Sequence, residues 1–519
     1  MGHLPERVFC LPAPSDFQGN TKFIRKKLQK IVQNSDYHPT IIYFQTPLIY
    51  CMSRDRKGSS AVDLRRLPNE LEQFLARDVY SMVIKGEAGT GKTALALTIL
   101  SGSLQMQNCL YISSRLAVSE LFEYYPWVQS FVPATKDGNG KSGEETTDIA
   151  PFVDARLDEP QSLFERITNQ LMDASSPLIV IDTWDAVGDF MDKEALMTNA
   201  KILQIWRQRA RAKLIFVLEN VHEMIFDNLV DGVVDLEQEY VNSRRTRRIH
   251  LSKLRGVKIE RPHSFFTLDH GVFHSFNQYN QLMWADSKLA PAPVPSQPEN
   301  LTFANESESS PDSVEDILNG RIPKHSVVNI ELDPTISSKS VLPFISRMIA
   351  GYSRKTNAKV AFLPPIGVAS ENIDLLLNAF IPNSRQRKRV EVLPQPNLSG
   401  ETGNGDFSEK LKTIIARNRR NEKNLEFLGV LSVEPVFDRT ASAGFEGLAE
   451  SVISGFDSSI IVTRSRGEKS ERFVEISDVR MKVVELDGNL FVQPENPWDS
   501  LYAIQNEADG RLISVRPMV

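Results

Sequence analysis

The sequence of 519 residues has few cysteines and no long apolar run. Its cysteines, Cys10, Cys51 and Cys109, have no metal-ligand spacing, and three cannot all pair. They therefore favour a reducing cytosol and a role in packing. The longest apolar run, residues 41–52, contains Pro47 and is far shorter than the roughly 20 residues of a membrane-spanning helix. We therefore expect a cytoplasmic protein without a membrane partner.

An excess of positive charge is also missing. The chain has 60 lysines and arginines against 66 acidic residues, a formal net charge of −6, which argues against a generally basic nucleic-acid-binding surface. Three local arginine clusters remain, at residues 244–248, 385–389 and 417–420, with few aromatic residues between them. The first lies in a predicted hairpin turn, where we expect a solvated tip. Contact with DNA or with an acidic partner is the alternative.

The length predicts two or three domains. We divide the chain into an N-terminal extension (1–62), a nucleotide-binding domain (63–287), a linker rich in proline and serine (288–312) and a second domain (313–519). The extension differs in character from the nucleotide-binding domain. One hypothesis is that Met52 is the true start, which the intact mass of natively expressed protein would test.

The strongest motif is the spacing G-x-x-x-x-G-K-[ST] at residues 86–93. A β-prone apolar run precedes it and a helix-prone run comes after it, which is the context that this phosphate loop requires. The loop glycines let successive backbone N–H groups surround a phosphate, and the helix N-terminus adds its positive dipole end. The predicted nucleotide-binding residues are Gly86, Glu87, Ala88, Gly89, Thr90, Gly91, Lys92 and Thr93. ATP is the expected ligand.

A second motif is the apolar run Leu178–Ile181, which ends in Asp182. A carboxylate at the C-terminal edge of a central parallel strand lies where α/β sheets bind ligands. Mg²⁺ keeps several waters and needs oxygen ligands close by. We therefore predict that Thr93 and Asp182 hold Mg²⁺, and that Lys92 and Asp182 are catalytic.

The remaining pattern alternates strands and helices and ends in a hairpin made of residues 231–236 and 248–256. A polar, glycine-rich insertion at residues 136–147 is predicted to be mobile. Alternating βα units and a terminal hairpin indicate an α/β fold of RecA type, with a mostly parallel central sheet and helices on both faces.

Four elements in order carry a family resemblance: the phosphate loop, Ile181–Ala186, Asp231–Val234 and Lys253–Gly256. Over most of residues 63–275 the chain resembles KaiC-like ATPases of the RecA superfamily, and in particular the archaeal GvpD-type branch of gas-vesicle regulators. The resemblance implies that Lys253 and Arg255 reach the γ-phosphate of a neighbouring subunit, as an arginine finger does. The alternative is a solvated strand that ends in two charges.

One departure changes the functional expectation. KaiC-like proteins typically place paired glutamates at the end of the strand after the phosphate-loop helix, where a glutamate orients the attacking water. This chain has Ser113, Ser114 and Arg115 there, and the nearest acids, Glu120 and Glu123, lie on the next helix. We therefore predict ATP binding with slow hydrolysis.

Beyond the linker the order of strands and helices repeats, but the residues predicted to bind nucleotide and metal are replaced. A strand at 326–332 and a helix from Val341 flank residues 333–340, in which Asp333 and Ser338 replace the two diagnostic glycines. Residues 427–431 parallel the metal-binding strand but end in Ser432, and residues 476–480 parallel 251–255 without the lysine. We predict a degenerate second RecA-like domain; an unrelated α/β domain is the alternative.

The leading functional hypothesis is an ATP-binding regulatory protein with weak or partner-dependent hydrolysis, whose nucleotide state controls binding of a protein partner or self-association. A DNA recombination or repair ATPase is the alternative, and the acidic total charge and the missing glutamate weigh against it. A structural assembly component that retains ATP as a stabiliser is a third hypothesis.

Overall fold

The computed structural model describes most of the chain beyond residue 65. The described residues are 66–103, 108–131, 151–156, 159–173, 176–188, 191, 193–219, 225–278, 317, 322–356, 358–365, 367–394, 403–421, 425–433, 455–464, 473–506 and 513–519. The predicted N-terminal extension, the insertion at 136–147 and the linker at 288–312 lie outside these residues. We call 66–278 the front half and 317–519 the rear half.

The front half alternates strands with helices. Its strands are β1 (Tyr80–Gly86), β2 (Cys109–Ser113), β3 (Phe152–Asp154), β4 (Leu178–Asp182), β5 (Lys213–Leu218), β6 (Gly232–Val241), β7 (Arg244–Leu254), β8 (His263–Thr267) and β9 (His274–Ser275). Its α-helices span Asn69–Leu75, Lys92–Ser103, Val118–Tyr124, Pro160–Asp173, Trp184–Gly188, Lys193–Ala210 and Ile225–Leu229. Short 3₁₀ turns cover Pro126–Phe131 and Asp269–Gly271.

The rear half repeats this order. Its strands are β10 (Val327–Leu332), β11 (Lys359–Leu363), β12 (Val390–Val392), β13 (Phe427–Ser432), β14 (Ser458–Arg464), β15 (Val479–Leu486), β16 (Asn489–Asn496), β17 (Tyr502–Asn506) and β18 (Ile513–Pro517). Its helices span Leu342–Lys355, Ser370–Phe380, Ser384–Arg387 and Gly403–Asn421.

The front sheet has the order β3-β2-β4-β5-β1-β6-β7-β8-β9. Strands β1 to β6 pair in parallel, and β6 to β9 pair antiparallel. Apolar residues fill both faces: Met82 and Ile84 face one core cluster, and Val83 faces the other. Burial on both faces explains why these strands are continuous apolar runs in the sequence. The parallel strands end together at one edge, where β1 meets the phosphate loop.

The rear sheet has the order β12-β11-β13-β14-β10-β15-β16-β17-β18, which is the front order strand for strand. An equivalent hydrogen bond in each half shows which residues of the two halves correspond. The Asp231 carboxylate accepts a hydrogen bond from Ser81 N at 3.1 Å, and the Asp478 carboxylate accepts one from Val327 N at 2.8 Å. Ser81 therefore corresponds to Val327. The predicted fold class, two RecA-like domains of which the second is degenerate, is confirmed; the domain boundaries stay predictions.

This register corrects one alignment made from sequence. Residues 476–480 were expected to match 251–255, but Asp478 occupies the position of Asp231, at the start of β15 rather than the end of β16. Strand pairing gives Lys253 the counterpart Asn496. The rear half does lack the lysine. The wrong match arose because a short apolar segment ending in Arg carries no information about strand direction.

The antiparallel ends of the two sheets pack together within one compact unit, Val62–Val519. Phe265 and Phe276 share a core cluster with Phe491 and other rear residues, and the rings of Phe265 and Phe491 lie 5.2 Å apart. Thr267 Oγ1 donates to Pro517 O at 2.7 Å, and His274 Nε2 lies 3.0 Å from Gln505 Oε1. The two halves therefore have a common apolar core.

Arg244 was expected at a solvated hairpin tip, and this was wrong. Its side chain is buried against the rear half, where Nε donates to Asp499 O at 2.8 Å and Nη2 donates to Pro494 O. Its guanidinium also lies 4.8 Å from the centre of the Trp498 ring. Sequence could not reveal this because the contacts join residues some 250 positions apart.

Among the described residues, no helix combines the length and the apolarity needed to cross a membrane.

Candidate nucleotide-binding site

The phosphate loop joins β1 to the helix Lys92–Ser103 at the edge where the parallel strands end. Gly91 has φ +103°, a backbone conformation that favours glycine, and a Cβ there would also displace the end of the Leu268 side chain, since it would lie 2.8 Å from Leu268 Cδ1. Thr90 Oγ1 donates to Glu87 O at 2.9 Å and braces the turn. The first helical hydrogen bond runs from Leu95 N to Gly91 O at 2.9 Å. The loop thus ends at a helix N-terminus suited to an anion.

Lys92 lies inside this loop. Its Nζ donates to Gly86 O and to Glu87 O, each at 2.8 Å, and the residue is 6% exposed. Burial lowers the pKa of Lys92, while the negative charges of Glu219, Asp182 and Asp185 oppose that change. An ammonium held on two carbonyl oxygens can exchange them for phosphate oxygens without unfolding the loop.

Thr93 and Asp182 meet directly. Thr93 Oγ1 donates to Asp182 Oδ2 at 2.8 Å, and Tyr111 OH donates to the same oxygen at 2.5 Å. Burial raises the pKa of Asp182, whereas these two hydrogen bonds and the charge of Lys92 act in the opposite direction. Burial and the neighbouring Asp182 hold the pKa of Tyr111 far above its usual value, so the phenol keeps its proton and serves as a donor.

The hydroxyl and carboxylate oxygens of Thr93 and Asp182 fit Mg²⁺, which takes oxygen ligands and few protein side chains. Within the described part of the chain, no group of three or more histidines, cysteines, aspartates or glutamates could hold a metal ion. A metal at Thr93 and Asp182 would therefore need phosphate oxygens and water as its other ligands. The pair suits a metal that arrives with a nucleotide.

The two residues implied by the family resemblance lie at the end of β7. Lys253 Nζ donates to Asp227 O at 2.7 Å and to Val230 O at 2.8 Å. Arg255 Nη1 donates to Asp231 Oδ1 at 3.0 Å, and its side chain is 66% exposed. These contacts tie both side chains to the segment before β6. Their proposed reach to a γ-phosphate of another subunit stays a prediction.

Sequence reasoning missed several residues that surround Lys92 and Asp182. Glu219 comes directly after β5, Asp185 lies on the short helix after β4, and Tyr111 lies on β2. Arg115, which follows the two serines at the end of β2, forms an ion pair with Glu219, with 2.7 Å between Arg115 Nη1 and Glu219 Oε2. A signal existed for Glu219, because the run Leu214–Leu218 ends in an acid just as Leu178–Ile181 does.

The rear loop holds no comparable cradle among its described residues. The Asp333 carboxylate accepts from Thr335 N at 3.1 Å and from Thr335 Oγ1 at 2.8 Å. The helix begins only at Leu342, so Lys339 precedes it and is exposed. Arg464 reaches into the loop, donating from Nη1 to Pro334 O at 3.2 Å and from Nη2 to Ser338 Oγ at 3.0 Å. A cation therefore lies in the rear loop, where the front loop would receive phosphate.

Strand pairing also confirms that Ser432 takes the place of Asp182. Ser432 on β13 pairs with Val462 on β14, and Asp182 on β4 pairs with Val217 on β5. These are corresponding strand pairs of the two sheets, and the paired residues lie at corresponding positions. The Ser432 hydroxyl is buried and has no hydrogen-bond partner among the described residues. The rear half lacks a carboxylate at this position.

A glycine loop between a central parallel strand and a helix, in a sheet extended by antiparallel strands, defines a P-loop nucleotide-binding domain of the RecA-like class. Residues 71–253 match the family described as GvpD gas vesicle protein, P-loop domain. The front half is therefore similar to the P-loop domain of GvpD proteins over these residues.

Two relatives from Halobacterium salinarum extend this comparison. The chain is 27% identical to Protein GvpD1 over 318 residues, which cover 57% of this chain and 56% of that protein. It is 22% identical to Protein GvpD2 over 487 residues, which cover 86% of this chain and 95% of that protein. The first alignment spans about half of the relative, whereas the second runs through both halves of this chain.

Proposed function

We propose that this protein is a cytoplasmic, ATP-binding regulator in which the front half binds Mg·ATP and the rear half supports binding of a partner. The observation that carries the proposal is the loop at residues 86–93, with Lys92 inside it and Thr93 paired to Asp182. Bound Mg²⁺ would neutralise charge on the phosphates. Lys92 would contact the β- and γ-phosphates, and Thr93 and Asp182 would hold the metal and its waters.

The regulated process that we propose is gas-vesicle formation. Support comes from the family description matched by residues 71–253 and from the two GvpD relatives. Bound nucleotide would replace the contacts that Lys92 and Thr93 make in the loop. The nucleotide-bound and nucleotide-free forms would then differ in structure near the loop, and a protein partner could bind one form more tightly than the other. The partner is a protein or a second copy of this chain.

The alternative, a DNA recombination or repair ATPase, loses support from the hairpin. Arg244 and Arg247, two of the arginines that suggested a nucleic-acid surface, are 5% and 6% exposed. Buried guanidinium groups cannot neutralise phosphates of a DNA backbone. The acidic total charge weighs in the same direction.

Slow hydrolysis is part of the proposal. Ser113 Oγ donates to Leu116 O at 2.6 Å, and Ser114 Oγ donates to Thr183 O at 2.9 Å. Both hydroxyl groups are engaged by backbone carbonyls at the position where a water-orienting glutamate is expected. Neither serine is available to activate water.

A matched pair of lysine variants tests the proposal. Lys92→Ala should weaken ATP binding by at least about a hundredfold, because the loop loses the positive charge aimed at the phosphates. Lys339→Ala removes an exposed lysine from the rear loop and should leave the affinity unchanged. Equilibrium titration with ATP and Mg²⁺, followed by size-exclusion chromatography with and without nucleotide, measures both effects. Equal loss in the two variants, or no binding by the unaltered chain, would refute the proposal.

A further inference from the structure

The position after β2 carries a cation where an acid is expected. Ser113 and Ser114 commit their hydroxyl groups to backbone carbonyls, and Thr183 N also donates to Ser114 Oγ at 2.7 Å. Arg115 comes next, with a side chain that is 47% exposed. The end of β2 therefore has no carboxylate of its own, but Arg115 can form an ion pair with a carboxylate from another strand.

The carboxylate that it holds belongs to Glu219, from the other side of β4. Strand β4 lies between β2 and β5 in the sheet. The ion pair between Arg115 Nη1 and Glu219 Oε2, at 2.7 Å, therefore spans the end of β4 that carries Asp182. The side chain of Glu219 is 31% exposed, so its carboxylate faces the open edge of the sheet rather than the core.

The surroundings place Glu219 close to the phosphate loop. Strand β5 is the direct neighbour of β1, and Leu218 pairs with Lys85, one residue before the loop begins. Burial lowers the pKa of Lys92, and the negative charge of Glu219 is the first of the acidic groups that oppose this change. The backbone N–H of Glu219 donates to an Asp185 carboxylate oxygen, which fixes the start of the segment after β5.

The rear half provides an internal comparison. Thr463 pairs with Glu331 as Leu218 pairs with Lys85, so Arg464 is the counterpart of Glu219. Arg464 reaches into its own loop and contacts Pro334 O and Ser338 Oγ. An arginine at this position of the fold therefore reaches its own loop, and Glu219, although shorter, starts from the corresponding place beside the phosphate loop of the front half.

We infer that Glu219 is the catalytic carboxylate of the front half, orienting the water that attacks the γ-phosphate, and that Arg115 restrains it. The inference rests on the proposed function. The water oxygen forms a bond to the γ-phosphorus while the bond from that phosphorus to the β–γ bridging oxygen breaks, and ADP leaves with the bonding electron pair. The proton lost by water passes to Glu219 and then to solvent. When the ion pair with Arg115 breaks, Glu219 Oε2 also becomes available to accept a hydrogen bond from the attacking water.

Three variants test the assignment. Glu219→Gln keeps the shape and removes the base, so single-turnover hydrolysis of ATP should fall by about a hundredfold. Its affinity for ATP should stay within about threefold of the unaltered chain. Arg115→Ala should raise the hydrolysis rate by about two- to fivefold, which is what loss of a partly exposed ion pair allows. Glu123→Gln, an exposed acid on the helix Val118–Tyr124, is the matched control and should change neither quantity.

A second readout does not depend on turnover. The unaltered chain should bind ADP with aluminium fluoride more tightly than ADP alone, and Glu219→Gln should lose that preference, because the carboxylate contacts the water that the complex mimics. Unchanged hydrolysis and unchanged preference in Glu219→Gln, with ATP binding intact, would overturn the inference and leave the proposed function standing. An unaltered chain with no preference would overturn it as well. Failure of the unaltered chain to bind ATP would instead refute the proposed function.

Discussion

At the scale of single residues, Arg247 is a buried arginine whose guanidinium donors are not all satisfied by hydrogen bonds among the described residues. It is 6% exposed, and its Nε and Nη1 atoms have no hydrogen-bond partner among the described residues. Desolvation, assisted by the nearby Arg245, lowers the pKa of Arg247 to about 10. A charged group whose donors are unpaired in a poorly hydrated place costs free energy of folding.

Arg247→Met should therefore raise the free energy of unfolding at neutral pH by about 1–3 kcal/mol. The pKa of Arg247 is lower in the folded state than its usual value, so the folded chain binds fewer protons between the two values. The penalty is complete below a pH of about 10 and shrinks as the pH rises through that value. Urea titrations at neutral pH and above the folded-state pKa should show the advantage of the variant narrowing.

Arg245→Met is the matched control for this prediction. Arg245 lies two residues earlier on the same strand and is exposed. The control makes the same change of charge and should leave stability within about 0.5 kcal/mol. A stabilisation of equal size in both variants, or a destabilised Arg247→Met, would contradict the role given to burial.

At the scale of elements, the hairpin of β6 and β7 joins the two halves through Arg244. Removing its side chain leaves Asp499 O and Pro494 O without their donor and removes the contact with the Trp498 ring. Arg244→Ala should lower the free energy of unfolding by about 2–4 kcal/mol, since hydrogen bonds to charged groups and buried orphaned acceptors both contribute. Arg244→Lys should recover only part, because an ammonium lacks the planar fork.

Hydrogen exchange is the measurement suited to Arg244. Amides of β16 and β17 should exchange faster in Arg244→Ala, while those of β1 and β4 stay protected. Arg245→Ala, one residue away and exposed, should leave both sets unchanged. Uniform acceleration through both sheets would mean that Arg244 stabilises the whole chain rather than this junction.

Much of the fold and part of the site could be predicted from the sequence, for a physical reason. Strands β1, β4 and β5 are buried on both faces, so their apolar runs and their terminal polar residues are visible as patterns. The phosphate loop is local, because one stretch of chain supplies all its groups. Glu219, Arg115 and Tyr111 escaped prediction because their importance depends on which strands are neighbours, and Arg244 escaped because its partners lie in the other half.

At the scale of the whole molecule, the shared cluster around Phe265 and Phe491 should make the halves unfold together. ATP with Mg²⁺ at about a hundred times its dissociation constant should then stabilise the chain by about 2.7 kcal/mol. Calorimetry should show one transition that moves to higher temperature with ATP and does not move in Lys92→Ala. Two separate transitions, of which only one responds to ATP, would show that the cluster does not couple the halves.

The guanidinium of Arg464 has a further consequence for how the chain responds to the supply of ATP. We predict that the rear cleft does not compete for nucleotide, because Arg464 is already held by Pro334 O and Ser338 Oγ and the carboxylate of Asp333 would repel phosphate. We then expect each chain to bind one nucleotide, with a titration curve that follows a simple hyperbola. Any steeper response to cellular energy supply has to originate between chains, at the level of assembly.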